Sequence, residues 1–197
     1  MAQMQVFLNP EYWQPRQDQQ YANLAAYAHP QREKKMDRDT LVTLLEYKRW
    51  ADAGTLASVR AVDETAHPEK RRLMQRLMNH IYVVDRIFQA NLTGQAHGYT
   101  ALNTPQTPTV EALETNLRES TDGYIALVGA MSEADFAKTI RFQFTDGGPG
   151  EMKAIDMFTH MLFHGTYHRG AVGWLVAECG GSAFKDVMTI FLRERHR

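Results

Sequence analysis

The sequence predicts an all-α protein built as a four-helix bundle. Three observations carry that expectation. Four stretches of 22 to 26 residues repeat apolar side chains at the helical period. Between them lie cap residues, Pro and Gly of the kind that start and stop helices. The only alternating segment is short and adjoins a glycine-rich turn.

The first helix is expected over 39–62, capped by Asp39, with Leu41, Leu44, Leu45, Tyr47, Lys48, Ala51 and Leu56 supplying the period. The second starts after His67, with Pro68 in its first turn, and ends near Thr93 before Gly94. Its inward stripe reads Leu73, Leu77, His80, Ile81, Val84, Ile87 and Phe88. Residues 95–108 read as a loop. Thr109 caps a third helix running to Met131, and 132–136 begins a new turn. Residues 139–144 alternate as a strand, 146–150 form a turn, and a returning strand near 151–153 completes a short β-hairpin between the third and fourth long helices. The fourth helix spans 154–178 and stops at Gly180-Gly181. A short C-terminal helix is expected over 184–195.

The domain division is an N-terminal extension, 1–37, and a bundle domain, 38–197. The extension holds Tyr12, Trp13, Tyr21 and Tyr27, with a short helix expected at 17–28. Aromatic residues at that density pack on the domain or on a second subunit, and the sequence does not choose between them.

Composition sets outer bounds. The 197 residues are 44% apolar and 23% charged, with net charge −1, which gives no electrostatic reason to expect nucleic acid or an anionic membrane as partner. No run reaches the roughly 18 apolar residues of a spanning helix, and the first ten residues lack the pattern of a signal peptide. One cysteine, Cys179, excludes an internal disulfide and fits a reducing compartment; the expected location is the cytoplasm.

The chemistry concentrates in histidine. His160, His164 and His168 recur every four residues, which on a helix returns a side chain to nearly the same face. An i, i+4 pair can offer two imidazole nitrogens to one ion. His164 and His168 lie on the apolar stripe of the fourth helix and His80 on that of the second. Bundle cores commonly hold metal sites assembled from facing helices. The expectation is one divalent metal, nickel or zinc, held by His80, His164 and His168 with a position open for water, a thiol or a carbonyl. The competing reading is plain packing, since a single histidine on an apolar stripe is commonly a hydrogen-bonded core residue.

His160 shares the column of His164 but drifts from that of His168, and is expected to flank or hydrogen-bond a ligand. His29, His67, His97 and His196 are expected to be solvated. Asp85 is read as facing solvent rather than orienting a ligand. Tyr47 and Trp50 are read as core or as the mouth of a pocket. Arg169 is read as a surface ion pair or a holder of an anionic substrate, and Cys179 as a small buried residue too far along the helix to ligate.

The segments Leu77-Met78-Asn79-His80-Ile81 and His164-Gly165-Thr166-Tyr167-His168-Arg169-Gly170 resemble the DinB/YfiT-like family of bacterial bundle proteins. So do Leu44-Leu45-Glu46-Tyr47-Lys48-Arg49-Trp50-Ala51 and the ending through Gly180-Gly181, Asp186-Val187 and Phe191-Leu192; the likeness covers roughly 38–195. The resemblance implies a bundle, often dimeric, with a three-histidine site for nickel, zinc or a similar ion at His80, His164 and His168. Ala171 stands where that family often has glutamine, so a role for that glutamine does not carry over.

Some relatives are thiol-dependent transferases or isomerases and many have no assigned reaction; the resemblance implies a small-molecule substrate with a low-molecular-weight thiol as a candidate cosubstrate, and, with the aromatic extension, a homodimer. A metal-dependent hydrolase and a non-catalytic, stress-related metal- or ligand-binding protein stand as alternatives, and whether the chain is an enzyme stays open at this point.

Overall fold

The protein is represented by a computed structural model that describes residues 37–196. The expected extension and its helix at 17–28 lie outside the described residues, except for Asp37.

Asp37, not Asp39, caps the first helix. Its carboxylate accepts a hydrogen bond from the Thr40 amide at 2.8 Å and another from the Thr40 hydroxyl at 2.8 Å. Asp39 instead lies inside the first turn, where a negative charge favours the positive end of the helix dipole. The helix, α1, spans Arg38–Ala61. Helix α2, Pro68–Thr93, begins with Pro68 where a missing amide proton costs nothing, and ends at Gly94, whose φ of 67° is the left-handed conformation that glycine adopts without strain. Helix α3, Val110–Ala130, is capped by the Thr109 hydroxyl, which accepts from the Ala112 amide at 3.2 Å.

The turn expected at 132–136 is a one-turn helix, α4, Glu133–Phe136, closed by reciprocal bonds between Ser132 and Asp135. Strands β1, Thr139–Gln143, and β2, Pro149–Lys153, form the expected hairpin, antiparallel with Thr139 opposite Lys153 and Phe142 opposite Gly150. The return strand begins two residues earlier than the sequence suggests. A Cβ on Gly150 would stand 2.6 Å from the Phe142 ring, so glycine is what lets that ring lie across the partner strand. Ile140, Phe142 and Met152 turn one face of the hairpin onto a core cluster of Val83, Val84, Ile87, Phe88 and Met157.

Helix α5 spans Ala154–Glu178, as expected, and Gly180 at φ 75° turns the chain away. The final helix, α6, is shorter than expected, Met188–Arg195. Residues 182–187 stay out of helix, with Phe184 and Asp186 each held by side chains of α1 or α5. The Phe184 ring packs edge-on against Trp50 and over Gly54, and Asp186 is bound by Tyr47 and Arg169.

The four long helices form a square. Helix α1 packs against α3 and α5, and α2 packs against α5 and α3, so α1 and α2 face each other across the diagonal. Leu45, Met74, Leu77, Ile81, Leu117, Phe158 and Met161 fill the interior. Burying each such side chain contributes about 1.5–3 kcal/mol. Helix α5 therefore runs between α1 and α2, and its buried face meets both. No helix among the described residues is long and apolar enough to cross a membrane.

Candidate metal centre

The stripes of α2 and α5 bring His80, His164 and His168 together. One nitrogen from each ring lies within 4.8 Å of the others, a grouping able to hold a metal ion. The ring centroids of the three pairs are 4.5 to 4.8 Å apart. His168 is buried, and His80 and His164 are half-buried, so the cluster is reached from their side.

The hydrogen bonds assign one tautomer. His80 Nδ1 lies 2.8 Å from the carbonyl of Leu102, which can only accept; Nδ1 therefore carries the proton and Nε2 presents a lone pair. That lone pair faces His164 Nε2 at 3.0 Å. Two imidazole lone pairs do not rest that close unless something positive lies between them, either a proton on His164 or a metal ion. Both ring nitrogens of His168 and Nδ1 of His164 are buried without a hydrogen-bond partner. Orphaned donors and acceptors of this kind are costly, and coordination is one way to satisfy them. The donor set fits a divalent transition metal.

Burial keeps the rings neutral. It is the first cause lowering the pKa of all three, reinforced for His164 by the neighbouring imidazoles and by Lys48; His168 falls to about 3. Neutral imidazole is the form that ligates. His160 is not in the cluster. Its ring stacks on Phe88 at 4.8 Å and lies flat against His164 at 5.5 Å, so it flanks a candidate ligand, as its drifted position suggested.

The loop that supplies the Leu102 carbonyl is fastened to α2. The Asn79 amide donates to Asn103 Oδ1 at 2.7 Å and to Thr104 Oγ1 at 2.9 Å, and Arg76 donates to the Thr104 carbonyl at 2.6 Å. Asn79, adjacent to His80 in the sequence, thus sets the second contact of that histidine.

Beneath the histidines lies a chain of buried ion pairs that sequence reasoning missed. Lys48, 1% exposed, hydrogen-bonds Asp52 on its own helix and forms an ion pair with Asp85 on α2, both at 2.7 Å. Arg169 bonds Asp52 Oδ1 at 3.0 Å and Asp186 Oδ2 at 2.8 Å, and Tyr47 donates to the other oxygen of Asp186. Two expectations are corrected here. Asp85 does not face solvent: it is fully buried, and burial raises its carboxyl to about 6 despite Lys48. Arg169 is neither a surface ion pair nor free for a substrate: it is 2% exposed, with its guanidinium engaged by carboxylates.

The signal was present, because Lys48 falls in the apolar column of α1 and Asp85 one position after Val84 on α2. A charge in such a column requires a buried partner. Tyr47 and Trp50 pack with Phe191 and Phe184, the core reading. His67 and His97 are half-buried rather than solvated, the latter against Tyr99; Cys179 is only half-buried, His196 is exposed, and His29 lies outside the described residues. A cleft of about 540 Å³ between α2, the 95–99 loop and α3 is lined by residues including Tyr82, Arg86, Gln89 and Tyr99, and by none of the three histidines.

Fold and cluster together define a helical bundle protein with a three-histidine site able to take a metal ion. The chain belongs to the DinB family, whose model matches residues 35–192. Comparison with curated proteins and with solved structures returned no match.

Proposed function

We propose that His80, His164 and His168 hold one divalent ion, nickel or zinc, and that the protein is a metal-dependent enzyme of the thiol S-transferase type acting on a small electrophile. The observation that carries this is the approach of His80 Nε2 to His164 Nε2 at 3.0 Å, with His168 completing the cluster. When bound, the ion supplies Lewis acidity: it favours the thiolate of a bound thiol and polarises an acceptor oxygen. The chain's own residues do the rest. Leu102 fixes the His80 tautomer, burial holds all three imidazoles neutral, and His160 with Phe88 covers one side of His164.

A hydrolase needs a general base beside the ion. Asp52, Asp85 and Asp186 are each paired with Lys48 or Arg169, which leaves none of them for that task. A cosubstrate thiol, with a free pKa of about 8.5, would ionise on an ion with its proton passing to solvent, and so asks less of a protein base than water does; the transferase reading is therefore favoured over the hydrolase. A cytoplasmic setting agrees with the single Cys179 and with the reduced pool such a thiol requires.

The same proposal includes a homodimer. From His160 to Ala177 the outward positions of α5 carry no charged side chain; they include Phe163, Tyr167, Gly170 and Trp174. Bulky rings on either side of a flat glycine make a self-complementary stripe, the kind a two-fold axis pairs with itself.

The test is consumption of a low-molecular-weight thiol with an added electrophile by nickel- or zinc-loaded protein, beside His164→Ala. Turnover lost in the variant is the expected result. No turnover over a broad panel of thiols and electrophiles, with metal bound, leaves the non-catalytic binding protein as the reading.

A further inference from the structure

We infer that the buried chain Asp85–Lys48–Asp52–Arg169–Asp186 is a clamp of positioning residues that sets α2 and α5 in the one register where His80 meets His164 and His168. The inference rests on the metal-site reading above.

The geometry carries it. Lys48 reaches across the diagonal of the bundle to Asp85, five residues beyond His80 on α2. Arg169, next to His168 on α5, reaches Asp52 on α1 and Asp186 in the segment before α6. Asp52 receives both cations, so α2, α1 and α5 are joined by one unbroken series of contacts of 2.7 to 3.0 Å. Gly165, between His164 and His168, makes room for the crossing. A Cβ there would lie 3.0 Å from Arg169 Nη1 and 3.5 Å from Lys48 Cε.

Ions are a poor way to stabilise a bundle core, because desolvating them offsets most of their attraction, and apolar side chains of similar volume commonly serve as well. What ions add is selectivity of register. Apolar stripes on α2 and α5 still pack after one helix slides a turn past the other. The clamp does not, since a shift of about 5.4 Å leaves buried charges unpaired. The same slide would part the histidines. The clamp thus penalises the arrangements in which the site is broken.

The experiment is calorimetric titration of chelator-stripped full-length protein with Ni²⁺, with the unfolding midpoint measured alongside. The variants are Asp52→Asn, Arg169→Lys and Leu113→Ala. Arg169→Lys keeps the charge and loses the fork. Leu113 is a fully buried core residue near the start of α3, a helix that bears no member of the clamp and no histidine of the cluster. Its truncation lowers stability without touching the register.

The expected result is a dissociation constant raised about tenfold or more in the clamp variants, and changed by no more than about twofold in Leu113→Ala. Clamp variants that bind Ni²⁺ as the parent does, or that weaken only in step with their loss of stability as Leu113→Ala would show, overturn the clamp while the metal site stands. A parent that binds no Ni²⁺ overturns both. Should the central variants fail to fold, Asp186→Asn and Tyr47→Phe cut only the outer arm, and the same comparison with Leu113→Ala decides.

Discussion

His80 Nε2 and His164 Nε2 stand 3.0 Å apart although 84 residues separate them in the chain. Only the packing of α2 on α5 produces that approach. It makes each histidine individually necessary, since two neutral imidazoles hold an ion far less firmly than three. Elemental analysis of gently purified protein is expected to give one metal per chain for the parent. Near-complete loss is expected in His80→Ala, His164→Ala and His168→Ala. His160→Ala is expected to retain metal, because that ring stacks on Phe88 and His164 without joining the cluster.

Asn79 is fully buried and holds the loop that presents the Leu102 carbonyl to His80. Asn79→Ala removes the bonds from its amide to Asn103 and Thr104. A loss of about 1–3 kcal/mol of stability in urea denaturation is expected. Metal affinity should fall as well, because His80 is then free to choose its tautomer and tilt. Stability lost with affinity unchanged would mean that the loop does not orient the ring.

The parts of this arrangement differ in how plainly the sequence declares them. Pro68, Gly94, Thr109 and Gly180 mark helix ends through local backbone chemistry, and a local signal is readable in one dimension. The histidine spacing on α5 is local as well. His80 needed only a matching stripe. The clamp is less legible because its members come from separate segments, and only Lys48, in the apolar column of α1, stands out from an ordinary surface charge. Arg169 directly follows His168, but one residue turns about 100° around a helix, so the histidine stripe does not say which way the guanidinium points. The start of α6 was misjudged for a related reason. Residues 184–187 have a helical pattern, but Phe184 and Asp186 are held by Trp50, Tyr47 and Arg169, partners well over a dozen residues away. Asp39 and Asp37 are both competent caps, and the structure, not composition, selects the earlier one.

Gly165 and Gly129 provide a matched pair. Both are helical glycines, and nothing lies within 4 Å of a Cβ built on Gly129. Gly129→Ala is expected to stabilise the protein by about 0.5–1 kcal/mol through helix propensity and reduced freedom of the unfolded chain. Gly165→Ala gains the same propensity but presses on Arg169 and Lys48, and overpacking at such a site costs about 1–3 kcal/mol. Net destabilisation of Gly165→Ala in denaturant melts, beside stabilisation of Gly129→Ala, is the expected outcome. The Gly165 variant should also bind metal less tightly.

Three phenols contribute to the alkaline limb of stability, beside the buried Lys48, whose pKa is also raised. Burial raises Tyr124 well above the ordinary phenol, with the Asp85 charge adding to it. Burial and the bond to Asp186 raise Tyr47, and burial with the bond to Tyr82 takes Tyr99 to about 12. Each folded value lies above the unfolded value of about 10. The stability these groups contribute is therefore whole below pH 10 and is lost as pH rises through the folded values, because the unfolded chain releases protons that the folded chain keeps. Denaturant stability should fall from about pH 10 upward, and tyrosinate absorbance should show part of the phenols ionising late. Tyr124→Phe should flatten the decline; an unchanged slope would mean that Tyr124 ionises freely.

Phe163 and Trp174 are 71% and 54% exposed, with Gly170 between them on the same outward face of α5. Helix α5 is thus apolar on its core side and largely apolar on its outer side, a pattern more typical of a helix covered on both faces than of one left in water. In the proposed dimer, charge placed on that stripe would oppose its own copy across the two-fold axis, so a single substitution would act twice. Trp174→Glu is expected to convert a dimer of the parent chain to monomer in light scattering after size exclusion, with helical content and metal content preserved. Substitution of exposed Val187, which lies off α5, should leave the dimer intact. A parent that is monomeric at micromolar concentration, or a Trp174→Glu variant that stays dimeric, would place the contact between copies elsewhere or remove it. Because all three histidines of each cluster come from one chain, the monomeric variant should still bind one metal per chain, which separates assembly from coordination.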